Sequence, residues 1–180
     1  MKATGIVRRI DDLGRIVIPK EIRRTLRIRE GDPLEIFTDR EGKVILKKYS
    51  PIGELGTLAG IYADSLSKTL DCTVCITDTD QVIAAAGNGK KELQEMLLSA
   101  ELAEVFQERK TVLKKSSNAE FVAITKDRSE YSEEIISVIL SEGDIAGGVI
   151  FLQKNEKKHF GEMEKKFAAG AADLLGRQLS

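Results

Sequence analysis

The sequence predicts a mixed fold: a small, mostly-β N-terminal unit followed by an α+β domain with flanking helices. Three observations carry that reading. Short alternating runs fill the first 48 residues, whereas the remainder interleaves strand-like runs with apolar stripes of helical spacing. Charge is divided along the chain: residues 1–48 hold 13 Lys and Arg against 8 Asp and Glu, a net of +5, while the whole 180-residue chain carries −1. Ser50, Pro51 and Gly53 punctuate the boundary between the two halves.

In chain order, residues 5–10 alternate Ile6, Arg8 and Ile10 against Val7 and Arg9. That is a strand pattern, and it sends Arg8 and Arg9 to opposite faces. Asp11, Asp12, Leu13 and Gly14 read as a turn, with Gly14 suited to a positive φ. Residues 15–18 predict a second short strand. Pro19 suits the start of a helix over 20–26. Ile22 and Leu26 would face inward there, with Arg23 and Arg27 on a neighbouring face. Gly31 ends the element, and residues 34–38 and 43–49 predict strands joined by a short loop containing Gly42.

A unit this small buries roughly 60% of its unfolded surface and is marginal without a staple. Neither a disulfide nor a set of metal ligands is available to it, and its short strands leave open edges. Pairing with a second copy is the remedy that remains, so an intertwined or tightly paired dimer is expected.

The second half opens with a helix expected over 54–70, where Leu55, Leu58, Ala59, Tyr62, Leu66 and Leu70 form one stripe. Residues 72–78 and 81–87 predict a hairpin, 93–107 a helix, and 121–125 a short strand. Residues 135–141 and 145–153 predict a second hairpin about Gly143. The last helix begins near Phe160, with Phe160, Met163, Phe167, Ala171 and Leu174 in a heptad-like row. Hairpins with flanking helices make an α+β domain of sensor type. The N-terminus lacks the apolar core of a signal peptide, and no run approaches the roughly 18 apolar residues of a membrane span. A cytoplasmic, nucleoid-associated location with no membrane partner is the expectation.

Eight basic residues lie between positions 8 and 29: Arg8, Arg9, Arg15, Lys20, Arg23, Arg24, Arg27 and Arg29. Only Asp11, Asp12 and Glu21 oppose them. Arginine suits phosphate and guanine because its planar fork donates hydrogen bonds in pairs. A solvated charged face is the bland counterpart. Cys72 and Cys75 form a C-x-x-C, but an offset of three in a strand sends the sulfurs to opposite faces. Zinc would need further ligands, and His159 is the single histidine, so buried small hydrophobes and no metal are expected. Asp78, Asp80, Glu133 and Glu134 fall in expected turns and a helix start, where acids cap and solubilise. With no nucleophile–base set and no phosphate loop, neither an enzyme nor a cofactor is expected.

The run TGIVRRIDDLGRIVIPKEIRRTLRI at 4–28, then LEI at 34–36 and the basic strand ILKKY at 45–49, resembles the AbrB-type transition-state regulators of spore-forming bacteria. The resemblance covers residues 1–50. It implies a swapped-hairpin dimer, an AbrB-like barrel in which strands of two chains interleave. It also implies DNA contacts at Arg8, Arg15, Arg23 and Arg24, with Lys2, Lys20 and Arg27 as lesser contacts. Arg9 falls outside that set, as strand parity suggests. The chain as a whole is similar to sporulation regulators of this type that carry a GAF-like tail. That implies a DNA-binding head at 1–50, a connecting helix at 51–71, and a GAF-like sensor and oligomerisation domain at 72–180. A homotetramer follows, tied by helix bundles.

The expected function is a DNA-binding transcription regulator, activating and repressing sporulation genes. Its expected partners are double-stranded DNA, further copies of itself, and a small-molecule effector. Two other classes stay open, an antitoxin-like DNA-binding module and an RNA-binding protein.

Overall fold

A strand exists only where a ladder partner is in reach, and that decides which of the expected strands form. The computed structural model describes residues 5–117, 121–126 and 131–179. The chain divides into two units, Met1–Tyr49 and Ser50–Ser180. In the first, α1 (Lys20–Thr25) precedes a hairpin of β1 (Leu34–Thr38) and β2 (Val44–Lys48). The hairpin is antiparallel, with Leu34 opposite Lys48 and Thr38 opposite Val44. Asp39 holds its turn by accepting from the Glu41 and Lys43 N–H groups, both at 2.9 Å.

The strands expected at 5–10 and 15–18 do not form a ladder. The turn between them does form, with Asp11 N–H donating to Arg15 O and Gly14 N–H to Asp11 O, each at 3.0 Å. Gly14 takes φ +75. Leu26, expected to face inward, is 56% exposed. The cause is common to both corrections: among the described residues of this unit only Pro19 is buried, so one chain supplies no core for these side chains to enter. Helix α1 ends with Ile28 N–H on Arg23 O at 2.8 Å and Arg27 N–H on Arg24 O at 3.4 Å. That is a Schellman closure. Arg27 occupies its left-handed position at φ 54, where glycine is the usual residue.

The second unit is a five-stranded antiparallel sheet in the order β4-β3-β7-β6-β5. Its strands are β3 (Thr73–Thr77), β4 (Val82–Ala86), β5 (Thr111–Lys115), β6 (Glu133–Ser141) and β7 (Asp144–Gln153). Alternation along them separates two layers. On one face Val74, Ile76, Ile135, Ile139 and Phe151 pack with Ile52, Ala59, Ala63, Ala168, Ala172 and Leu175. These last six belong to α2 (Pro51–Glu54), α3 (Gly56–Leu70) and α6 (Glu162–Gln178). On the other face Cys75, Ile136, Ile150 and Leu152 pack with Leu93, Leu98, Leu102, Phe106, Val122 and Ile124. Here α4 (Lys90–Leu93), α5 (Ala100–Gln107) and the segment 121–126 provide the cover.

Several elements differ from expectation for local reasons. The helix expected at 54–70 begins earlier, because Ser50 caps α2 by accepting from Gly53 N–H and Pro51 follows at the first position. The helix expected at 93–107 is broken. Glu95 takes φ 63, and the backbone at 95–98 bonds instead to Asp80 and Val82. Ser99 then caps a new helix, accepting from Leu102 N–H at 3.0 Å. Residues 121–125 form only a bridge, Leu98 with Thr125. Strand β5 was not expected, since TVLKK is short and ends in two lysines. Strand β6 starts at Glu133, so Glu133 and Glu134 lie inside a strand rather than at an exposed element start. The last helix starts at Glu162, leaving Phe160 before it, and the expected row splits: Phe160 and Ala171 are buried, while Met163 and Phe167 are 66% and 43% exposed.

Candidate nucleic-acid interface

The basic residues of the first unit are set by one turn and one short helix. Arg8 lies before the turn, and Arg15 lies immediately after it. The Asp11 carboxylate organises this turn. Its Oδ1 accepts from Leu13 N–H at 3.0 Å and Arg15 N–H at 2.8 Å, and its Oδ2 accepts from Arg15 Nε at 2.8 Å. These bonds, led by the Arg15 backbone N–H, hold the Asp11 carboxyl below its ordinary value. Arg23 and Arg24 occupy the last turn of α1, where the helix C-terminus favours cations. Arg23 Nε donates to Ile18 O at 3.3 Å.

Arg8, Arg15, Arg23 and Arg24 are all exposed. Among the described residues Arg8, Arg23 and Arg24 have no carboxylate partner, so their guanidinium groups are open to an external anion. Two further acids of the unit are engaged locally. Asp32 pairs with Lys48 at 2.9 Å and accepts from Arg29 N–H at 2.7 Å, and Asp39 pairs with Lys43 at 3.2 Å. Lys20 is exposed and Arg27 is half-buried. Lys2 lies outside the described residues. Arg9 is as exposed as Arg8, so exposure does not separate the two. Sequence reasoning missed Asp11 as an organising residue, although its signal was an aspartate opening a turn that ends in glycine.

In the second unit the cysteines part as strand parity requires, Cys72 to one layer and Cys75 to the other. Burial pushes both thiols up to about 12, which leaves them as inert packing groups. Asp78 caps a turn, its Oδ1 accepting from Asp80 and Gln81 N–H and its Oδ2 from Ser50 Oγ. Glu133 ties three elements together. Its Oε1 meets Lys115 Nζ at 3.0 Å and His159 Nδ1 at 2.8 Å, and its Oε2 accepts from Phe160 N–H at 2.7 Å. Glu134 is fully buried, with Oε1 accepting from Val122 N–H at 2.8 Å and Oε2 without a partner among the described residues. None of the described helices is long and apolar enough to cross a membrane.

Comparison with known proteins agrees with this division of the chain into a basic head and a sheet-based tail. Residues 54–180 match the family described as stage V sporulation protein T C-terminal, transcription factor. Residues 7–54 match the one described as antidote-toxin recognition MazE, bacterial antitoxin. The chain is 49% identical over 181 residues to stage V sporulation protein T of Bacillus subtilis (strain 168), covering 99% of each. It is 67% identical over 51 residues to the transition state regulatory protein AbrB of the same strain, covering 28% of this chain and 52% of that one. The crystal structure of the GAF domain from an Acinetobacter phosphoenolpyruvate-protein phosphotransferase superposes with TM-score 0.59 at 14% identity, covering 74% of this chain and 84% of that one. An extent of that size has to be drawn mostly from the second unit, and at such identity the likeness shows the fold alone. The mixed fold is thus an AbrB-like head followed by a GAF-like domain. By identity along its whole length and by the match of its larger unit, the chain belongs to the stage V sporulation protein T family of transcription factors.

Proposed function

We propose that residues 1–50 pair as a swapped-hairpin dimer and lay a doubled basic surface on duplex DNA. Arg8, Arg15, Arg23 and Arg24 are its principal contacts, and Lys2, Lys20 and Arg27 its lesser ones. The observation that carries this reading is a double deficit in the first unit. Its apolar side chains are uncovered, Val7 at 88% and Val17 at 72% exposed, and three of its four key arginines lack an acid partner among the described residues. A second copy satisfies the first deficit and DNA phosphate the second. Titrating DNA affinity against salt tests the proposal, because each phosphate contact releases counterions.

On this reading residues 51–71 are the connecting helix and residues 72–180 the sensing and oligomerisation domain. The outer side of α6 supports a homotetramer built on paired second units. The GAF-like fold supports a small-molecule effector there. By linkage such an effector must bind the free and DNA-bound states unequally. The regulator would work in the cytoplasm, on the nucleoid, activating some sporulation genes and repressing others. The MazE match over 7–54 favours a second reading, a DNA-binding antitoxin. Co-purification with a small ribonuclease would favour that reading over the first.

A further inference from the structure

An acid on a DNA-facing surface is a liability on charge alone, since it repels the phosphates that the arginines attract. Asp11 sits four residues from Arg15 in the most basic part of the chain, and it is bonded to Arg15 three times. Asp11 N–H donates to Arg15 O at 3.0 Å, Arg15 N–H donates to Asp11 Oδ1 at 2.8 Å, and Arg15 Nε donates to Asp11 Oδ2 at 2.8 Å. The first two bonds set the backbone of the turn. The third sets the guanidinium itself. It uses Nε, so the two terminal nitrogens and their four N–H donors are left without a partner among the described residues. Arg15 is well exposed, its side chain at 69%, and an exposed arginine left untethered would sample many rotamers.

We propose that Asp11 is a positioning residue for DNA binding: it holds the Arg15 fork pre-aimed, and that gain outweighs its own repulsion of phosphate. This rests on the reading of Arg15 as a DNA contact. Ordering a long side chain before binding removes a cost that would otherwise be met on binding, worth about two- to tenfold in affinity per side chain. The Asp11 to phosphate repulsion works the other way. It is weakened by the neighbouring guanidinium and by salt, because both groups are solvent-exposed.

The test is a double-mutant cycle on the full chain, reading the Kd for one fixed DNA duplex at one salt concentration. Asp11→Asn keeps an oxygen that accepts the Leu13 and Arg15 N–H groups, so the turn persists, but it removes the charged bond to Nε. In the parent, Asp11→Asn is expected to weaken binding about two- to tenfold per arm. In the Arg15→Ala background the same change is expected to strengthen binding, since only the repulsion is left to remove. That reversal of sign is something a merely structural role would not produce. Stronger binding by Asp11→Asn in the parent overturns the proposal, because Asp11 is then only a repulsive charge. Equal weakening in both backgrounds also overturns it, because Asp11 then acts on the turn and not through Arg15. If Arg15→Ala alone binds like the parent, the reading of the interface fails along with the inference.

Discussion

Burial pushes the Glu134 carboxyl up to about 7, against which the Val122 N–H bond and the charge of Lys114 act in the other direction. Next to it, Glu133 is also raised by burial, but the Phe160 N–H, His159 and Lys115 outweigh that and leave it below its ordinary value. The difference is one of burial first and donors second: Glu134 is the more deeply buried, and it has one donor where Glu133 has three. It has a consequence for stability. Because the folded value of Glu134 is raised, the folded chain holds this proton more tightly than the unfolded chain. Its contribution is therefore full below the ordinary value of 4.5 and is lost as pH rises toward about 7. Glu134→Gln keeps the acceptor for Val122 and carries no charge. The variant should gain on the order of 3 kcal/mol over the parent near pH 8 and little near pH 4.5. Thermal unfolding at the two pH values checks this, and an equal gain at both would show that Glu134 is not the titrating group. Neither environment was legible in the sequence. The pair EE reads as an exposed element start until the strand that contains it is seen to be covered on both faces.

Helix α6 packs against its own sheet on one side and leaves an apolar row exposed on another. Its inner side buries Leu175 together with Ala168, Ala171, Ala172 and Gly176, and these last four are small enough to bring the helix close. A methyl group at Gly176 would overlap the Leu140 carbonyl oxygen. In an ordinary helix interior Gly→Ala stabilises by about 1 kcal/mol. Here Gly176→Ala should instead destabilise by about 1–3 kcal/mol, because backbone cannot yield to the added methyl. A rise in Tm would show that the contact relaxes freely. The outer side carries Met163, Phe167 and Leu174, spaced four and seven residues apart and all exposed. That is a heptad seam with no partner among the described residues of the chain. If α6 ties the proposed tetramer together, Phe167→Asp should halve the solution mass to that of a dimer while leaving Tm nearly unchanged, as light scattering and thermal unfolding would report. An unchanged mass would remove α6 from the assembly. The heptad-like spacing was legible, but not its division between sheet and solvent. Five apolar positions at helical spacing cover more than one face, and only the sheet beneath selects which are buried.

At the scale of the molecule, the two units divide chemistry between them. The first concentrates cations and has no core among its described residues, and the second has two cores and an acidic balance. If each of four arginines in each of two chains neutralises one phosphate, DNA binding makes about eight such contacts. Log K should then fall with log salt concentration at a slope near about −7. Replacing Arg15 by Ala removes two contacts from the dimer and should reduce the slope by about 2 without lowering Tm, since Arg15 is exposed. A parent slope between 0 and about −2 would rule out the four-arginine surface. Such a surface has no recognition helix of ordinary length, since α1 spans six residues, so DNA shape must contribute to its selectivity.

Local chemistry was decided by the order of residues alone. The turn at 11–14, the hairpins about 39–42 and 142–143, and the opposite layers of Cys72 and Cys75 follow from turn residues and strand parity over a few positions. So does the concentration of arginine in the first unit. Tertiary structure alone decided what depends on a distant partner. It broke the helix expected at 93–107 to satisfy the backbone beside β4, made a strand of 111–115 at the sheet edge, and buried Glu134 beneath Val122. It left 5–10 and 15–18 without a ladder, because strands and buried charges are defined by neighbours far along the chain. For the first unit, the proposed dimer would supply those neighbours from a second copy.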